Sequence, residues 1–265
     1  MAIDDHHVLP VLPPELQFII FQVALENNMI DAQNLLFVAR HVFDWLIPIL
    51  YKVVLLSPRN LYAWPLLPLP ITKLPQYGRH VHRLLLLSPP DHILDQYLQH
   101  CPNIVDFSSF SELPDPQFDL VLRLPLHHLC TTFIARKQYL NPLAPSVFSK
   151  LTHITTNGEQ IGLVSHCHFP SLTHLAIGDR SYSVREVPRI FEQNPGLRVL
   201  IVGYGTQKDI TLPEVRPYAT PGVNDARVVH LEYNVIINWR TRNIWSFAEG
   251  IVEERLALAD TQHSG

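Results

Sequence analysis

The chain has little of what usually advertises a chemical function. Among its 265 residues are 3 cysteines, 10 glycines and 2 methionines, and only 17% are charged. Cys101, Cys130 and Cys167 are odd in number and widely spaced, with no C-x-x-C. That excludes a disulfide framework or zinc ribbon and fits a reducing compartment. The net charge is −4 and no Lys/Arg cluster occurs, which excludes a typical nucleic-acid binder. "GYGTQKD", from Gly203, lacks the lysine-after-glycine of a phosphate loop and reads as a hairpin or loop. No long apolar run is present. The longest stretch free of charge, Gln160 to Gly178, holds Gly162, Pro170 and histidines, so no membrane span is expected. The first residues, "MAIDDHHVLP", are acidic where a secretory signal is basic then apolar. Cytosol, nucleus or both are the expected compartments. No G-x-S-x-G, H-E-x-x-H or paired-carboxylate motif appears.

What is plentiful is apolar surface (47%), proline (23 residues) and histidine (15 residues). Four segments follow from their distribution. Residues 9–56 read as a small helical segment. Pro13-Pro14 suits a helix start, and Leu16, Ile19, Ile20, Val23 and Ala24 recur on one helical face. A second helix is predicted from Ala32 to about Ile47, ended or kinked by Pro48, with "ILYKVVLL" as a short strand or the start of the next unit. Two such helices cannot bury much surface alone and need a neighbour. Residues 57–76 hold Pro58, Pro65, Pro68, Pro70 and Pro75 and read as a stiff connector packed by its own leucines and Trp64.

Residues 77–240 carry a repeat. An apolar residue, two variable ones and a second apolar residue open "VHRLLL", "IVDFSS", "LHHLCT", "LTHITT", "LTHLAI", "LRVLIV" and "VVHLEY", starting at Val81, Ile104, Leu126, Leu151, Leu172, Leu197 and Val228. All but the last step fall within the roughly 20–29-residue period of leucine-rich repeats. "DHILDQYLQHCPNI" and "VREVPRIFEQNPGL" supply helical returns broken at Pro102 and Pro195. The predicted fold is α/β: an irregular leucine-rich-repeat solenoid of parallel strands with helical returns, preceded by the small helical segment. It is closed by a helix over 241–259 whose Ile244, Phe247, Ala248, Ile251 and Val252 face inward to cap the open end of the stack.

"LPPELQFIIF" resembles the opening of the F-box, through Leu12, Pro13, Glu15, Leu16, Ile20 and Phe21. Val38, Arg40, Trp45, Pro48, Leu50 and Tyr51 match its second half, with a longer Arg-to-Trp spacing. The order of F-box-like segment, connector, repeats and a tail with Trp239, Trp245, Glu249 and Arg255 resembles a large, mostly uncharacterised set of fungal F-box-like proteins. The resemblance implies a non-catalytic adaptor of a Skp–cullin–F-box ubiquitin ligase. Its N-terminal helices would dock on a Skp-type adaptor through Leu12, Pro13, Glu15, Leu16, Ile20 and Phe21, and its repeats would hold a protein substrate. Where the family has a late leucine in the first helix this chain has Ala24, which leaves open a scaffold whose F-box is only structural.

In such repeats, strand residues between the buried aliphatics line one face. The position before the second aliphatic reads Arg83, Asp106, His128, His153, His174, Val199 and His230. Four histidines there predict a column of imidazoles whose protonation is coupled. With Thr132, Thr155, Ile201 and Glu232 they make the expected partner-binding concave face. An alternative from another class is a small hydrolase or metal-dependent enzyme using this face. Cys130 beside His128 or His153, and "SHCHF" with His166, Cys167 and His168, are its candidate residues. The expectation remains no catalysis, no cofactor, no metal, no nucleic acid and no membrane.

Overall fold

The computed structural model describes residues 12–27, 32–57, 69–87, 91–111, 113–131, 148–156, 168–178, 186–205, 216–217, 225–233 and 243–263. Three helices open it: α1 (Pro14–Asn27), α2 (Ala32–Leu35) and α3 (Arg40–Leu50). The second predicted helix is thus two. Val38 N–H and Phe37 N–H close turns on Leu35 and Asn34, and Ala39 is fully extended at φ −162° and ψ 156° before α3 begins. Pro48 sits inside the last turn of α3, which ends two residues later.

From there the chain builds one sheet. Its strands are β1 (Val53–Leu56), β2 (Arg83–Leu86), β3 (Asp106–Ser109), β4 (His128–Thr131), β5 (His153–Thr156), β6 (His174–Ile177), β7 (Val199–Gly205), β8 (Arg216–Pro217) and β9 (Val228–Tyr233). The spatial order is β1-β2-β3-β4-β5-β6-β7-β9-β8. All neighbours pair in parallel except β8, which is antiparallel to β9. Strand after strand is laid beside its predecessor, the arrangement of a stacked repeat. The sheet starts inside the segment assigned to the N-terminal helices, since β1 pairs with β2. The repeat therefore begins ahead of the proline-rich stretch.

The L-x-x-L frame explains the stacking. Its aliphatics point to one side of the sheet and share one interior: Val81 with Leu84, Ile104 with Phe107, Leu126 with Leu129, Leu151 with Ile154, Leu172 with Leu175, and Leu197 with Leu200. Phe107, Leu84, Ile104, Leu151 and Ile154 are among the largest fully buried side chains. On that side lie the returns α5 (Asp91–His100), α6 (Asp115–Leu122) and α7 (Val187–Gln193), following a single-turn α4 (Leu74–Tyr77). They contribute Leu94, Tyr97 and Leu98, then Phe118, Val121 and Leu122, then Val187 and Ile190. Polar groups at the return corners are satisfied locally. The Asn194 side chain accepts the Phe169 N–H at 2.9 Å and donates to the Ile190 carbonyl at 3.2 Å. Cys101 occupies the same place one residue before Pro102 and is fully buried, and the Tyr97 hydroxyl donates to the Leu69 carbonyl.

α8 (Asn243–His263) does not cap the end of the stack. Ile244, Ala248 and Val252 pack on Ala176, Val199, Ile201, Val229 and Leu231, which lie on the sheet face opposite the returning helices. The physical reason is that β6, β7 and β9 carry these five apolar residues on their second face, which needs covering as much as the end does. Phe247, expected inward, is exposed. Among the described residues no helix is long and apolar enough to cross a membrane.

Candidate functional site

Two surfaces gather the residues singled out from the sequence. The first is on α1. Leu12, Pro13, Glu15, Leu16 and Ile20 are all exposed. Leu16 is 48%, Ile19 52%, Ile20 52% and Val23 48% exposed, a continuous apolar stripe at helical spacing. The inward side of the same helix is also apolar. Phe21 packs beside the buried Leu25, Val42, Leu46 and Leu50, and the Phe18 ring meets Trp45 edge-on at 6.0 Å. α1 is therefore hydrophobic around most of its circumference, as a helix buried on two sides would be. Phe37 (87% exposed) and Val38, in the turn after α2, add to the uncovered apolar surface. Phe21, grouped with the docking residues by sequence, anchors the helix to its own bundle instead.

The second surface is the sheet face opposite the returning helices. Arg83 pairs with Asp106, Asp106 with His128, His128 with His153, His153 with His174, and His174 with Val199. The predicted column exists over these six strands. The rings of His128 and His153 are stacked with centroids 4.1 Å apart and 7° between planes, and those of His153 and His174 at 4.2 Å and 3°. At the β2–β3 end, Arg83 Nε donates to Asp106 Oδ2 at 2.9 Å. His230 does not belong to the column. The β7–β9 register places Leu200, not Leu197, beside Val228, and so sets Val202 opposite His230. Strand alternation then turns His230 with Val228 toward the other side of the sheet. The long last step of the repeat, with its L-x-x-L frame begun inside the strand, is what misplaced it.

α8 seats on the other end of the imidazole stack. Trp245 meets His153 edge-on at 5.1 Å and His174 at 5.4 Å. Glu249 Oε1 lies 3.0 Å from His174 Nε2. His174 Nδ1 is 2.8 Å from Thr173 Oγ1, whose hydroxyl is placed to donate to the Thr152 carbonyl at 3.2 Å. Two arrangements satisfy this geometry. An imidazolium donates from both nitrogens and keeps every bond. A neutral ring donates from Nε2 to Glu249 and accepts the Thr173 hydroxyl, which then leaves the Thr152 carbonyl. Burial holds the His174 pKa below the ordinary histidine value. The Glu249 carboxylate opposes that shift and Arg198 adds to it. A half-exposed carboxylate screened by water compensates burial only in part.

The remaining candidates separate cleanly. His153 and Thr155 are half-buried, and His174 and Ile201 are buried beneath α8 rather than open to a partner. Thr132, His166 and Cys167 lie outside the described residues, as does the side chain of Glu232. His168 Nδ1 is bonded to the Gln193 carbonyl oxygen at 2.7 Å. No group of three or more metal-ligating side chains occurs among the described residues. Burial pushes the Cys130 thiol up to about 12, and the Asp106 carboxylate adds to the rise, so it carries no thiolate at neutral pH. Cys101 is likewise pushed up to about 12 by burial. Gly203, Tyr204 and Gly205 continue β7 as paired strand residues and make no loop. What the sequence missed is Trp245 and Glu249 as partners of the histidines. Their spacing of four on an amphipathic helix was the available signal, but nothing in it names the opposing surface. Compared with protein-family models, curated proteins and solved structures, the chain has no significant match to any.

Proposed function

We propose that this protein is a non-catalytic interaction adaptor: an F-box-like N-terminal bundle on an irregular leucine-rich-repeat solenoid, acting as substrate receptor of a Skp–cullin–F-box ubiquitin ligase. The observation that carries the reading is the uncovered stripe Leu16, Ile19, Ile20 and Val23 on a helix whose other side already has its own core. A stripe of four large aliphatics in water favours burial by roughly 25 cal/mol per Å² of apolar surface covered. It belongs to the segment that resembles the F-box, and there the expected cover is the Skp-type adaptor. Other subunits would transfer ubiquitin. The unreactive Cys130 and the inward-turned His230 both weigh against chemistry on the histidine face.

The test is direct binding of the full chain to a Skp-type adaptor. Leu16→Asp and Ile20→Asp should each weaken it by about tenfold or more, since either places a charge in a desolvated contact. Glu15→Gln, at the rim, should change it little. A folded wild-type chain that does not bind would replace the adaptor reading with that of a scaffold whose F-box is structural.

A further inference from the structure

We propose that α8 is the resident occupant of a receptor surface: a strap across the sheet face opposite the returning helices that is displaced by a partner's amphipathic helix. The displacing helix carries an aromatic residue and, four positions later, a carboxylate on its apolar side. This inference rests on the receptor reading given above and concerns how its substrate face is regulated.

The seat is separable from the core. Ala176, Val199, Ile201, Val229 and Leu231 form with α8 a cluster distinct from the one that joins the strands to α5, α6 and α7. Loss of α8 uncovers one face of three strands and leaves the main interior in place. α8 is also buried over less than half its length. Its buried side chains run from Ile244 to Val252, whereas residues 253–261 are all exposed, Leu256 and Leu258 included. Beyond Val252, Arg255 Nη1 donates to the Val228 carbonyl at 2.6 Å. A helix whose second half buries no side chain can be peeled from that end.

Recognition is specific because the seat is not merely apolar. The stacked rings of His153 and His174 both lie 72–75° from the plane of Trp245, and the Nε2 of His174 offers a hydrogen bond to Glu249. Trp245 and Glu249 stand four residues apart on one helical face, with Ala248 between them small enough for close approach. Helix-in-groove recognition reads side chains at this spacing. As part of the same chain, α8 competes at an effective concentration of order millimolar, so an incoming helix binds weakly until the strap is loosened.

The experiment uses the full chain and a labelled synthetic peptide copying residues 243–260. In Ala248→Asp a buried charge should unseat α8. This variant should bind the peptide at least about tenfold more tightly than wild type does, and a peptide carrying Trp245→Ala and Glu249→Lys should bind neither. An Ala248→Asp chain that keeps its cooperative melt yet binds the peptide no more tightly than wild type overturns the proposal. If that variant fails to fold, native-state hydrogen exchange on wild type decides. Amides of 243–252 opening more readily than those of β3 to β6 support the strap, and equal protection overturns it. Skp-adaptor binding, measured on the same samples, should be unchanged by Ala248→Asp. Its absence in every sample sinks the adaptor reading while leaving the strap measurement intact.

Discussion

His174 on β6 and Glu249 on α8 meet at 3.0 Å although 75 residues of chain separate them. The contact fastens the C-terminal helix to the sheet face that a solenoid would offer to a partner. It also places a titratable group where the helix must dock.

Acid should therefore loosen α8. Burial depresses the His174 pKa below 6.5 in the folded state. A base whose pKa is lowered by folding contributes stability that is present above its unfolded value and lost as pH falls through the folded one. His230 is depressed the same way, by burial and then by Arg255, and adds to the effect. The melting temperature should fall as pH is lowered below about 6.5, with a smaller fall in His174→Gln. The indole resonance of Trp245, assigned with Trp245→Phe, should shift over the same range in wild type only. A Trp245 resonance that does not respond to acid, or that responds equally in His174→Gln, contradicts the assignment.

Two glycines should answer alanine in opposite ways. A Cβ on Gly78 would collide with the His100 carbonyl oxygen and press on Cys101 Sγ at 3.2 Å. Backbone cannot retreat there, so Gly78→Ala should cost about 1–3 kcal/mol. A Cβ on Gly250, within α8, meets nothing within 4 Å. Gly250→Ala should stabilise the helix by about 0.5–1 kcal/mol. Urea titration of both variants checks the pair.

Two ion pairs of similar length should differ in weight. Arg83 and Asp106 are 14% and 5% exposed, whereas Arg227 and Asp225 are 36% and 31% exposed. Arg83→Ala leaves a carboxylate in the interior without this cation and should cost about 3–5 kcal/mol. Breaking the surface pair in Asp225→Asn should cost about 0–1 kcal/mol. Equal costs would mean that Asp106 is solvated in a way its burial does not suggest.

Cys130 should be inert in the native protein. With its thiol pushed up to about 12 and its side chain buried, alkylation at pH 7.5 should proceed only through unfolding. Rapid labelling of Cys130 in native buffer, identified by peptide mapping, would revive the nucleophile reading.

The stacked strands were legible in the sequence because each frame aliphatic serves one interior. Misplacing Leu151, Leu172 or Leu197 by one residue would turn it to the other face. The histidine column followed from the same frame. It broke at His230, where Val228 heads its frame yet already lies within the strand beside Leu200. β1 was legible as a short strand within "ILYKVVLL", but not its pairing with β2, because the proline-rich stretch separates the two in sequence. α8 showed its apolar stripe, but a stripe does not say whether it covers an end or a face. The apolar outer positions Ala176, Val199 and Ile201 decide that. For α1 the outward stripe with Leu16 and Ile20 was legible, and the inward turn of Phe21 was not. Phe18, Phe21 and Leu25 make the inward contacts and leave Leu16, Ile19, Ile20 and Val23 outside.

The most direct measurement is the hydrogen-exchange footprint of a Skp-type adaptor on the full chain. Slowed exchange confined to residues 14–27 and 32–38, with the strands β2 to β7 unaffected, is the predicted result. A complex that protects the sheet and leaves α1 unprotected, or no complex at all, contradicts it.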